Sequence, residues 1–307
     1  MKIFWKILRT ILAIIGALTL GLASLIIYEL RVEKVPVQLN FKPTNKTQCS
    51  VYVDSLKVSG LFRADTTEIH MTSVNDSSRA KQIMDYFQLD TLYSADSDTW
   101  TKALAIATFV ASNIPHANQT VQPEEKNAIY LWEYTKITEP AFNCRLHSIM
   151  MYDLLQSAGI EAAYITCMPQ DKEDMDCHVV NQVWLPELQK WAMLDSDMGG
   201  NWAANENGTP LSLQEIRERY IKDEPIFYHP NFGEPTKKVD YYYAYMSKNT
   251  YWFSNWETLH FDQESPSRKD VGRYIHLVPD GFKPFGVNSS DIITSDAEQF
   301  WAAPTLE

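Results

Sequence analysis

Positive charge is scarce in this chain. Lys and Arg number 27 against 39 Asp and Glu, a formal net charge of −12 over 307 residues. Lys2, Lys6, Arg9 and Glu29 leave the first thirty residues at +2, so residues 31–307 carry −14. A body that grips nucleic acid or anionic lipid needs the opposite balance, because phosphates are held by cations. Nucleic acid is therefore not an expected partner. Internal repeats and low-complexity tracts are missing as well, which speaks against a solenoid or a disordered linker protein. Cysteine is sparse, with only Cys49, Cys144, Cys167 and Cys177. No Cys and His set has the sequence spacing of a zinc site, so no metal and no cofactor is expected. No cysteine lies near the N-terminus, which excludes a lipoprotein-type anchor.

The N-terminus holds the one long apolar run. Thr10 to Tyr28 is 19 residues without charge, rich in Ile, Leu and Ala. That nearly matches the ~20 residues a helix needs to cross a bilayer. Lys2, Lys6 and Arg9 on the leading flank predict a cytoplasmic N-terminus, with residues 31–307 on the outer side. A cleaved signal peptide is the rival, but apolar residues continue past Ala23 through Leu25, Ile26 and Ile27, beyond a usual signal core. The expectation is an uncleaved single-pass anchor and an extracytoplasmic body.

Chemistry concentrates in mid-chain. Cys144 opens an apolar stretch with a helical stripe at Leu146, Met150, Met151, Leu154 and Leu155, ending at Ala158-Gly159. A thiol at a helix start feels the positive end of the helix dipole, which favours the thiolate. His178 begins a β-rich run through Trp184, and Asp195 follows another at Trp191–Leu194. A helix-start thiol, a strand imidazole and a next-strand carboxylate can meet as nucleophile, base and orienting acid. Asp197 is a rival acid two residues on. His147, one turn along the helix from Cys144, is a rival base without an evident group to orient it.

The stretch from about Ser97 to Asp195 resembles the transglutaminase-like superfamily, cysteine enzymes with a papain-related fold. The likeness rests on Cys144, on Leu154-Leu155 with Ala158-Gly159-Ile160, on His178 with Trp184, and on Trp191 four residues before Asp195. The amphipathic stretch Trp100–Ile114 resembles the helix that precedes the cysteine in that family. Phe142 departs from the pattern, since many members carry glycine there. The resemblance implies an α+β fold, with the Cys144 helix packed on an antiparallel β-sheet that carries His178 and Asp195. It implies a catalytic triad of Cys144, His178 and Asp195, the Trp191 spacing favouring Asp195 over Asp197. The implied activity is thiol-dependent acyl transfer or hydrolysis on amide bonds of peptides or envelope polymers. A peptide or protein is then the expected substrate. A catalytically silent member serving as a surface scaffold is the alternative, and an amidase acting on asparagine-linked sugars is a third reading.

Domain organisation is expected as a stub and anchor over 1–30, a stalk with a small subdomain over 31–96, a core over 97–225 and an aromatic-rich extension over 226–307. Within these, Val35–Leu39 and Cys49–Val58 are β-prone, and Ser78–Phe87 is helical. Ser212-Leu213-Gln214-Glu215 is a capping box opening a helix through Tyr220. Asp171 to Asp176 is a solvated hairpin loop. Cys167 and Cys177 flank it and either pair across the hairpin or stay free. The aromatics from Tyr228 to Trp256, including Tyr241, Tyr242 and Tyr243, are read as sheet core in preference to a stacking platform. Residues 279–307 are expected to wrap the core as irregular structure. For the acyl oxyanion, the Cys144 N–H is one donor; Asn118, Gln119, Trp132 and Asn143 are candidates for the second.

Overall fold

A computed structural model describes residues 37–39, 48–197, 199–229, 245–270 and 272–306. The chain divides into Met1–Val35 and Pro36–Glu307, and every described residue belongs to the second unit. The expected anchor and the Tyr241–Tyr243 cluster lie outside the described residues. Among the described residues no helix is long and apolar enough to cross a membrane.

The elements run β1 (Val37–Leu39), α1 (Gln48–Ser59), β2 (Thr72–Ser73), α2 (Ser77–Phe87), α3 (Thr99–Asn113), α4 (Ala128–Ile137) and α5 (Cys144–Ser157). They continue with β3 (Ala162–Met168), β4 (His178–Leu185), β5 (Lys190–Leu194), β6 (Trp202–Ala204), α6 (Leu213–Lys222) and β7 (Ile226–His229). The chain closes with β8 (Trp252–Trp256), β9 (Thr258–Leu259), β10 (Tyr274–Leu277), β11 (Ile292–Thr294), α7 (Ala297–Phe300) and β12 (Thr305–Leu306).

The fold is mixed α+β around a six-stranded sheet of order β11-β10-β8-β3-β4-β5. Its neighbours pair antiparallel except β10 and β11, which run parallel. The expected all-antiparallel sheet is thus corrected at one edge. A parallel neighbour requires the chain to return to the same end of the sheet, and residues 278–291 make that return.

Helix α5 lies at the centre. Asn143 caps it, its Oδ1 accepting from the Leu146 amide at 3.1 Å. Gly159 ends it at φ +71°, a conformation that glycine adopts without Cβ strain. Leu146 to Leu155 are buried without exception, so the helix is covered on every side. One side faces β3 and β4, and the others face α2, α3 and α4. A helix apolar only along one stripe would have a wet face; this one includes buried His147, Ser148 and Asp153, each of which must be stabilised locally. Ser148 Oγ donates to the Val179 carbonyl at 2.9 Å, and Asn181 Nδ2 donates to the Ser148 carbonyl at 3.0 Å. These two bonds tie the Cys144 helix to the strand that His178 begins.

Strand β4 is buried on both faces, which its Val-rich sequence allows. The C-terminal segment packs on other strands of the sheet: Trp191 Nε1 of β5 donates to the Ala302 carbonyl at 3.0 Å, and the Trp301 ring meets Phe253 of β8 edge-on at 5.4 Å. That tail is not irregular as expected, because it contributes β11, α7 and β12. Trp252, Phe253 and Trp256 are buried in β8, in line with the sheet-core reading of the aromatic segment.

Cys49–Val58 departs further from expectation, forming helix α1 and not a strand. Val53 and Leu56, three apart, are buried while Val51 and Val58 are exposed, so burial follows the helical period and overrides the β propensity of valine. The capping box at Ser212 forms as read, with both the Ser212 side chain and the Glu215 side chain engaged.

Candidate active site

Cys144 is the first residue of α5 and is half-buried at its exposed end. The segment before it is held in place by pairing with the end of the α3 loop: Phe142 N donates to Pro115 O at 3.0 Å, and Ala117 N donates to Phe142 O at 2.7 Å. Phe142 itself is buried, which explains a large residue where a small one was anticipated. As the first residue of its helix, Cys144 keeps its amide outside the intrahelical ladder and available as a donor.

His178 starts β4, in register with Cys167 of β3, and is fully buried. Its Nε2 pairs with Asp195 Oδ2 at 2.7 Å. The Cys144 Sγ, a His178 ring nitrogen and an Asp197 carboxylate oxygen all lie within 4.8 Å of one another. Burial alone would lower the His178 pKa. The Asp195 carboxylate overrides it, by charge and by hydrogen bond, with Cys144 adding to the effect, and holds the imidazole well above its ordinary value. His178 thus contacts Asp195 and lies beside Cys144.

Asp195 sits one residue past β5, where a backbone bridge with Asn201 closes a short turn, N to O at 2.9 Å in each direction. Its Oδ1 accepts the Asp197 amide at 3.1 Å, which fixes the carboxylate that faces His178. The same turn delivers Asp197 into the site. Asp197 Oδ1 pairs with His116 Nδ1 at 2.8 Å and lies 3.4 Å from His147 Nε2. Burial, then the charge of Asp195, pushes the Asp197 pKa up to about 6, against the pull of His116. So Asp197 is neither the acid on His178 nor merely a turn cap; it is a second carboxylate beside the sulfur.

His147 is placed differently from His178. Its side chain is fully buried beneath the site, and burial takes its pKa down to about 4 despite Asp195 nearby. Two participants escaped sequence reasoning. His116 comes from the loop after α3 and carries no local signal. Tyr245 packs edge-on against His178 with centroids 5.1 Å apart, and its hydroxyl donates to the Cys177 carbonyl at 3.2 Å.

The second oxyanion donor narrows. Asn143 gives the helix cap its Oδ1, an acceptor, which leaves the Nδ2 donors outside that bond, whereas Gln119 Nε2 donates to the Ala117 and Ala141 carbonyls at 2.9 and 3.0 Å. Trp132 packs among Phe87 and Phe109. Of the four candidates, Asn118 alone is exposed. Cys167 and Cys177 are both free thiols, which settles the open pairing. Beside the site lies a cavity of about 520 Å³ bordered by Arg145 and Cys177, the chain neighbours of Cys144 and His178. Met168, Met175, Trp252 and Phe285 make its apolar wall, while Ser254 and His276 give it polar groups. Arg145 is locked there by Glu264, Nε to Oε2 and Nη2 to Oε1 at 2.7 Å each.

Residues 87–196 match the model of the transglutaminase-like superfamily. The matched stretch runs from the end of α2 through Asp195, so it contains Cys144, His178 and Asp195. It leaves out β8, β10 and β11, which complete the sheet around this transglutaminase-like core. Among solved structures, a candidate cysteine protease from Cytophaga hutchinsonii is similar at 18% identity and a TM-score of 0.31. That likeness covers 43% of this chain and 40% of the other. No curated protein matches the chain.

Proposed function

We propose that the protein is a thiol acyl-transfer enzyme in which Cys144 attacks the carbonyl of a peptide-type amide. The observation that carries this reading is the contact of His178 with Asp195 on one side and Cys144 on the other, deep in the sheet. His178, whose raised pKa favours the imidazolium, holds the thiol proton while the Cys144 thiolate adds to the carbonyl carbon. Asp195 holds the imidazole orientation and stabilises the imidazolium. The tetrahedral oxyanion is received by the Cys144 amide. His178 returns the proton to the departing amine, leaving a thioester on Cys144. Water then releases an acid, or a primary amine takes the acyl group.

The cavity bounded by Met168, Met175, Trp252 and Phe285 suits an apolar side chain of a peptide substrate, since it opens beside both Cys144 and His178 through their neighbours. The extended apolar N-terminal run supports a membrane-anchored enzyme working outside the cytoplasm on peptides or envelope polymers. The test is incubation with a peptide library, with and without a primary amine, followed by mass spectrometry. Hydrolysed, deamidated or cross-linked products that vanish with Cys144→Ala are the expected result. Identical product profiles for the protein and for Cys144→Ala overturn the reading.

A further inference from the structure

The site holds a carboxylate that the triad does not need. Asp197 has no exposed side-chain surface, and its Oδ2 has no hydrogen-bond partner. A buried, unpartnered carboxylate oxygen is costly unless a proton or cation meets it. The Cys144 sulfur, a His178 ring nitrogen and an oxygen of this carboxylate all lie within 4.8 Å of one another.

We propose that Cys144, His178 and Asp197 form a reversible site for a borderline-soft divalent cation of the zinc type, which silences the thiol. The donor set is one sulfur, one nitrogen and one oxygen, the mixture that such a cation prefers. With bonds of ~2.3 Å to sulfur and ~2.0 Å to nitrogen and oxygen, tetrahedral donors sit roughly 3.3 to 3.6 Å apart. The side chains therefore need to close by about 1.5 Å at most. Charge also fits, because a thiolate and a carboxylate neutralise a divalent ion. On binding, the proton that Cys144 and His178 share passes to solvent, leaving a thiolate and an unprotonated ring nitrogen; bonds from sulfur, nitrogen and carboxylate oxygen to the metal form and no bond to carbon changes. The half-buried position of Cys144 leaves a fourth place for water.

The surroundings resemble the outer shell of a metal site. Asp195 holds His178 Nε2 at 2.7 Å, which orients the other ring nitrogen toward the sulfur, and His116 fixes the Asp197 carboxylate through Oδ1 at 2.8 Å. Sequence spacing could not reveal the set, because the residues come from a helix start, a strand start and a turn.

The site is new relative to the triad, and only its consequence for turnover rests on the proposed function. The test uses the full chain, stripped with a chelator and titrated with Co²⁺ as a spectroscopic probe and Zn²⁺ as the silent one. Expected are a sulfur-to-cobalt charge-transfer band at one equivalent, its loss in Cys144→Ser, and at least tenfold weaker binding in Asp197→Asn. Zn²⁺ is expected to protect Cys144 from iodoacetamide, with EDTA restoring labelling. Should Asp197→Asn lose the native near-ultraviolet spectrum, His178→Gln takes its place with the same tenfold loss required. A band that survives Cys144→Ser, or protection undiminished in both of the other variants, overturns the proposal. No turnover with an intact band defeats the enzyme reading alone; turnover with no band defeats the metal site alone.

Discussion

Asp153 makes a sharp test of how the central helix is built. It lies on α5 two and a half turns from Cys144, is 1% exposed, and accepts the Ala128 amide at the start of α4 through Oδ2 at 2.8 Å. Burial pushes its pKa up to about 8; the Ala128 bond and Arg79 pull the other way, and Asp262 adds to the rise. A carboxyl whose folded pKa exceeds its unfolded value binds its proton more tightly in the fold. Its contribution is complete below the unfolded pKa of about 4 and is lost progressively as pH rises toward 8. At ~1.4 kcal/mol per unit, the loss between pH 4.5 and pH 9 is about 5 kcal/mol.

Asp153→Asn keeps an oxygen for the Ala128 amide and never acquires a charge. The measurement is urea unfolding of both proteins at pH 4.5, 6, 7.5 and 9. Near pH 4.5 the two should be nearly equal. By pH 9 the variant should exceed the wild type by about 5 kcal/mol, most of it appearing between pH 5 and 8. Other titrating groups cancel in the difference, being present in both chains. A stability difference that stays constant to within ~1 kcal/mol across that range would refute the claim that the fold keeps this carboxyl neutral.

Asp195→Asn should leave Cys144 in place but remove the charge that orients and stabilises His178, lowering kcat by roughly 10³–10⁴-fold with a native near-ultraviolet spectrum. Ser148→Ala removes the bond to the Val179 carbonyl and should cost about 1 kcal/mol of unfolding free energy by urea titration, since the backbone acceptor is left buried. Leu154→Ala, at a position with no exposed surface, should cost about 2–5 kcal/mol through the cavity it leaves between α5 and its neighbours. Iodoacetamide should modify Cys144 well ahead of Cys167, whose thiol is buried and pushed far up in pKa; peptide mapping after brief labelling reads the order.

What could be read from the chain beforehand divides along a physical line. Features set by local sequence were legible: the helix start at Cys144, the Gly159 stop, the capping box at Ser212 and the Trp191 spacing that singles out Asp195. Each is a short-range pattern whose energy is decided within one turn or one strand. Features decided by burial among distant residues were not. Cys49–Val58 looks like a strand until Val53 and Leu56 find a hydrophobic partner, and only then does the helical period show. The parallel edge of the sheet depends on a return that no local pattern announces. Within the site, His116 reaches Asp197 across 81 positions of sequence, and His147 becomes a neutral buried neighbour only because α5 is covered on all sides. That coverage has a chemical consequence. An imidazole one turn from the thiol could have served as its base in a half-exposed helix. Sealed in the core with its pKa taken down to about 4, it holds a proton poorly and has no path to a substrate, so the base must come from another element. On the proposed mechanism the sheet supplies it at His178, where Asp195 makes up for the burial that disqualifies His147.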